Sequence, residues 1–126
     1  MSYAANAYAK VSRSALSPRE AEAAVLLKAA GRLQALQGNV EPGSVALNEA
    51  LIFNQKVWTV LASAVADPAN PLPDDLRQNV SNLAVYVFRT IIDAMIEPSA
   101  RKLETLVTLN HHLAAGLQGD PGPVAA

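Results

Sequence analysis

Between Leu47 and Pro73 the chain has little choice but to form a long helix and then stop. Leu47, Ala50, Leu51, Asn54, Val57, Trp58, Leu61 and Val65 recur at spacings of three and four, which is one face of an α-helix. That face carries the only tryptophan of the sequence and an asparagine at its centre. The following segment, Asp67-Pro68-Ala69-Asn70-Pro71-Leu72-Pro73, holds three prolines, and no α-helix continues through it. A long apolar helix that ends in a rigid corner predicts a helical hairpin, and the other segments can be placed around it.

Ser17-Pro18-Arg19-Glu20 opens the preceding helix. Ser17 is its predicted cap, Pro18 suits the first helical position and Glu20 completes a capping box. The pattern runs to about Gln37, with Gly38-Asn39 as the expected stop. Its apolar face is read as Ala23, Leu26, Leu27, Ala30 and Leu33, with Val25, Ala29 and Leu36 beside it. Ser44 is the expected cap of the central helix. A third long helix starts at Pro73-Asp74-Asp75, where acidic residues suit the helix dipole, and reaches Ile96 before Glu97-Pro98-Ser99. A fourth runs from about Ala100 to Leu117, with Leu103, Leu106, Val107, Asn110, Leu113, Ala114 and Leu117 turned inward. The expected organisation is an all-α antiparallel bundle of four long helices over residues 17–117, a short extra N-terminal helix within residues 1–16, and a flexible tail over 118–126.

Several functions are disfavoured by composition. A formal net charge of −1 provides no steering field for nucleic acid or an anionic membrane. Without cysteine there are no disulfides and no thiolate metal sites. No apolar run approaches the ~20 residues of a membrane-spanning helix, and the first fifteen residues show no signal-peptide pattern. A cytoplasmic protein without membrane attachment is expected.

The third helix carries more apolar surface than one core contact requires. Leu76, Val80, Leu83, Val87 and Ile91 form an ordinary core stripe, but Val85, Phe88, Ile92 and Ile96 widen the apolar arc to roughly 220°, against about 100° for a helix with one solvated face. On the central helix, Ile52, Phe53 and Val60 likewise lie off the main stripe. One explanation is that the third helix is central, covered on two sides by its neighbours and the N-terminal segment. The other is a groove for an amphipathic helix of another chain, with Phe53, Val60, Val85, Phe88, Ile92 and Ile96 as the candidate partner-binding residues. The N-terminal segment, with Tyr3, Tyr8 and Val11 on one side, is a candidate cover for that groove. A homodimer closed by the same surface is the third possibility.

No catalytic constellation is recognisable, and neither an enzyme nor a cofactor is expected. Asn54 and Asn110 both fall on inward faces and are read as a structural polar pair that fixes register. His111 and His112 are adjacent, so their side chains diverge by about 100°, poor geometry for holding one metal. Lys28 and Arg32 share a helix face, which is too little charge for a nucleic-acid footprint.

Taken together, Ser17-Pro18-Arg19-Glu20-Ala21-Glu22, Ala50 to Trp58, Asn70-Pro71-Leu72-Pro73, and Leu109-Asn110 with Ala115-Gly116-Leu117 resemble the FlaF family of flagellar-biosynthesis regulators of α-proteobacteria. The resemblance spans Tyr8 to Leu117. It implies a small cytoplasmic helical protein that supports flagellin production and export, binds flagellin in the manner of a secretion chaperone, and acts with a companion regulator of flagellin messenger RNA, FlbT. An adaptor role in that post-transcriptional control is the alternative function it implies.

Overall fold

The computed structural model describes residues 17–119, which form four α-helices and no strand. They are α1 (Pro18–Gln34), α2 (Val45–Ala66), α3 (Asp74–Ile96) and α4 (Ala100–Leu117). The predicted N-terminal helix and most of the predicted tail lie outside the described residues.

Each helix packs against two others. α1 lies closest along α4, α2 lies along α3, and the two pairs join through α1–α2 and α3–α4 contacts. Ala21 and Val25 of α1 stand opposite Val57 and Leu61 of α2, while Arg32 and Leu36 stand opposite Ala46 and Ala50, so these helices run antiparallel. The four enclose one core, with Trp58 its largest fully buried side chain.

Capping explains most of the boundaries. The Ser17 hydroxyl accepts the Glu20 N–H, and the Glu20 carboxylate accepts the Ser17 N–H, giving the predicted capping box. The Ser17 backbone N–H foremost, and then the Ser17 hydroxyl, favour the charged Glu20 carboxylate and hold its pKa below the ordinary value. The hydroxyls of Ser44 and Ser99 accept from Leu47 and Lys102 in the same way. At its other end α1 stops at Gln34, short of the expected Gln37. There the ladder tightens to three-residue bonds, Leu36 N–H to Leu33 and Gln37 N–H to Gln34, and the last turn is no longer α-helical. α4 runs through Gly116, and Gly119 takes the left-handed conformation just past its end, with φ of 72°.

The proline corner is held by side chains rather than by a glycine. Asn70 donates from Nδ2 to the Ala64 carbonyl at 3.1 Å and accepts the Leu72 N–H on Oδ1 at 2.9 Å. Asp67 accepts the Ala69 N–H, and Arg77 donates from Nε to the Val65 carbonyl at 2.9 Å. The final carbonyls of α2, which have no partner within the helix, are thereby satisfied from the corner and from the first turn of α3. Leu72 is buried in the core by the same turn. At the second corner the Lys102 ammonium donates to the Glu97 carbonyl at 2.6 Å.

Replacing Asn70 with alanine removes two of these bonds and is expected to lower stability by about 1–2 kcal/mol, read as the urea midpoint of Trp58 fluorescence. An unchanged midpoint would contradict this account of the corner.

Candidate partner-binding surface

The interior polar groups form one connected clamp. Asn110 of α4 accepts the indole N–H of Trp58 on Oδ1 at 2.8 Å. Its Nδ2 donates to Asn54 Oδ1 at 2.6 Å and to the backbone carbonyl of Leu26 at 3.1 Å. One amide therefore joins α1, α2 and α4, with both asparagines and the tryptophan fully buried. The sequence reading of Asn54 and Asn110 as a facing pair agrees with this geometry, but the third member, Trp58, was not recognised in it. Its indole N–H needs a partner wherever the ring is buried, and that was the signal available. Asn54 Nδ2 is the one described buried side-chain polar atom without a protein partner.

With the core satisfied, the candidate partner-binding residues fall on two separate flanks. On α3, Val85, Ile92 and Ile96 are 52%, 51% and 75% exposed. Phe88 is half-buried beside them, so Val85, Phe88, Ile92 and Ile96 make one ridge at steps of three and four. The Arg77–Val65 bond sets the register between α2 and α3, and it brings the exposed Ile52 level with Phe88 and Ile92. Among the described residues the neighbouring helices leave this face of the third helix exposed, and the N-terminal segment, the other cover expected for it, lies outside them.

Val60 belongs elsewhere. It is 66% exposed and lies on the α1 side of α2, where with Ala21, Val25, Val57 and Leu61 it lines an open groove of about 330 Å³. Glu22 and Lys56 stand at the rim. Partial burial there pushes the Glu22 carboxyl above its ordinary pKa, opposed by the nearby Arg19 charge. Farther along the same seam Phe53 is half-buried, and its ring is covered by the Arg32 guanidinium at 4.7 Å and the Lys28 ammonium at 5.8 Å from the centroid. The six candidate partner-binding residues thus divide into a free ridge (Val85, Phe88, Ile92, Ile96), a groove residue (Val60) and a cation-covered ring (Phe53). Tyr3, Tyr8 and Val11 lie outside the described residues.

The flank between α3 and α4 is polar, lined by Tyr86, Arg89, Asp93, Arg101, Lys102 and Thr105. His111 and His112 are both exposed. Among the described residues there is no group of three or more acidic or histidine side chains placed to hold a metal, and no helix long and apolar enough to cross a membrane.

The geometry defines a four-helix bundle whose distinctive surfaces are apolar faces rather than a pocket of reactive groups. A family model described as Flagellar protein FlaF matches residues 4–117. The chain belongs to the FlaF family of flagellar proteins, and its role lies in flagellar biosynthesis. No curated protein and no solved structure matches it.

The clamp makes the two asparagines unequal. Asn110→Leu strands the Trp58 N–H and the Asn54 Oδ1, whereas Asn54→Leu strands one Asn110 N–H and removes an unpartnered Nδ2. Asn110→Leu is expected to be the more destabilising by about 1–3 kcal/mol in urea unfolding. Equal losses would contradict the arrangement.

Proposed function

We propose that this protein is a flagellin-binding export chaperone that couples flagellin synthesis to secretion, and that it holds its cargo on the outer face of α3. The observation that carries the reading is the ridge of Val85, Phe88, Ile92 and Ile96, which no other described residue covers. Four apolar residues in line over three turns, on a helix whose opposite side is fully packed, suit an amphipathic helix laid alongside. Membership of a flagellar family supplies the context, and flagellin is the cargo that the family resemblance implies.

Holding such a segment requires no cofactor and no reactive side chain. It needs an apolar surface that competes with premature self-association of the cargo, and a scaffold that does not rearrange to provide it. The net charge of −1 argues against direct contact with flagellin messenger RNA. Any part in controlling that message, including action with FlbT, would then run through protein contacts.

Substituting Ile92 with aspartate is expected to weaken capture of purified flagellin by about tenfold or more without lowering the thermal midpoint, because the residue is exposed in the free bundle. Thr108→Asp on the exposed side of α4 is expected to leave capture unchanged. Undiminished capture by Ile92→Asp would overturn the assignment of this face. A wild-type dimer that Ile92→Asp turns into a monomer would identify the ridge as a self-interface instead.

A further inference from the structure

We infer that the seat on α3 reads charge as well as apolar area: its occupant is a helix with acidic residues along one edge, received by Arg89 and Arg101 in the seam between α3 and α4. The inference rests on the proposed use of the ridge as a seat for a helical segment, and it names the chemistry that segment must carry.

Ridge and seam are neighbours. Arg89 follows Val85 by four residues and precedes Ile92 by three, so it borders the ridge on the side away from Phe88. From there the seam opens toward α4 as a cleft of about 440 Å³, with Tyr86, Arg89 and Asp93 on one wall and Arg101, Lys102 and Thr105 on the other. A helix laid along Val85, Ile92 and Ile96 therefore has one edge over this cleft.

Inside the cleft most polar groups are already committed. The Thr90 hydroxyl donates to the Tyr86 carbonyl at 2.9 Å, and the Thr105 hydroxyl to the Arg101 carbonyl at 3.0 Å, so neither has a proton left to offer. The Lys102 ammonium is turned to the backbone carbonyls of Glu97 and Asp93, at 2.6 and 3.5 Å. The two guanidiniums are not committed. The one ion pair among the described residues joins Arg77 to Asp74, which leaves the exposed Arg89 and Arg101 unpaired there. Tyr86, half-exposed between them and the far end of the seam, adds a phenolic donor.

The balance of charge sets the sign of the occupant. Three cations line the cleft against the single carboxylate of Asp93, on a chain whose net charge is −1. Glu104 stands on the continuation of the seam toward Thr108 and Leu109, beyond the part that holds Arg89. Planar guanidinium forks match carboxylates, each able to hold both oxygens at once. The apolar ridge alongside selects the kind of molecule that brings them. A nucleic-acid strand has no face for Val85, Ile92 and Ile96, whereas an amphipathic helix presents an apolar stripe and a charged edge at the same spacing of three and four. Like charge at that edge works the other way, so a helix with the same apolar stripe and a basic edge is turned away.

Synthetic helical peptides of about eighteen residues, sharing one leucine stripe and differing only in whether one edge carries Glu, Gln or Lys, separate the two contributions. On the full-length protein at low salt, the Glu-edge peptide is expected to bind about tenfold tighter than the Gln-edge peptide, and the Lys-edge peptide more weakly than either. The double substitution Arg89→Gln with Arg101→Gln is expected to abolish that order. Arg19→Gln with Lys28→Gln, which removes the same charge from α1, is expected to preserve it. Ile92→Asp is expected to weaken all three peptides. Equal affinity for Glu and Gln edges, no binding of any peptide, a preference that survives loss of both arginines, or tighter binding of a single-stranded RNA than of the Glu-edge peptide would each overturn the inference. The peptides contain no flagellin sequence. Flagellin that is not captured while the Glu preference holds removes the proposed cargo alone, and flagellin captured without any such preference removes this inference alone.

Discussion

The rest of the bundle depends on one amide. Asn110 uses its oxygen on the Trp58 indole and its two N–H groups on the Leu26 carbonyl and on Asn54, so α1, α2 and α4 are tied at a single level. Apolar packing alone tolerates sliding and rotation of helices, because one leucine contact substitutes readily for another. A buried hydrogen-bonded group does not, since any shift in register strands it away from water at a cost of about 1–3 kcal/mol per unpaired group. Trp58 gains most from this. Its ring is the largest body in the core, and its polar edge has an internal partner, so the whole side chain can be enclosed.

α3 is the one helix outside the clamp, and its position is set from its ends. Asn70 and Arg77 close the proline corner onto the last carbonyls of α2, while Lys102 closes the end of α3 from the first turn of α4. Between those fixed points Val80, Ala84, Val87, Ile91 and Ala94 pack inward. The ridge on the opposite side is therefore presented by a helix braced at both termini, and the bundle need not open to offer it. An apolar surface on a braced helix costs less to bind than one exposed by local unfolding, because the ordering has already occurred.

The sequence was most legible where large apolar residues fell on a single stripe. Every inward residue expected on α2 and α4 is buried, because leucine, valine and tryptophan at spacings of three and four leave one choice of face. The other two helices were read less well because alanine carries much of their packing. Ala29 and Ala30 face the core of α1 while Leu27 is 38% exposed, and Ala84 and Ala94 do so on α3 while Leu76 and Leu83 are only partly covered. Alanine lets helices approach closely but adds little to an apolar pattern, so the centre of the buried face drifts toward the nearest leucine. The candidate surface was limited in another way. Periodicity gives an angle around one helix but not which neighbour flanks it, so Val60 was grouped with Val85 and Ile92 although α2 stands between their flanks. The cover of Phe53 by Lys28 and Arg32 depends on the α1–α2 register, which no local pattern encodes.

The central claim is that the outer face of α3 is a working surface on a bundle that is otherwise complete. Methyl-labelled protein titrated with unassembled flagellin tests it most directly, because the aliphatic residues on every face report at once. The account predicts that the methyl signals of Val85, Ile92, Ile96 and Ile52 shift progressively, while those of Leu103 and Leu106 in the core stay in place. Shifts confined to Val25 and Val60, or a core that rearranges along with the surface, would contradict it.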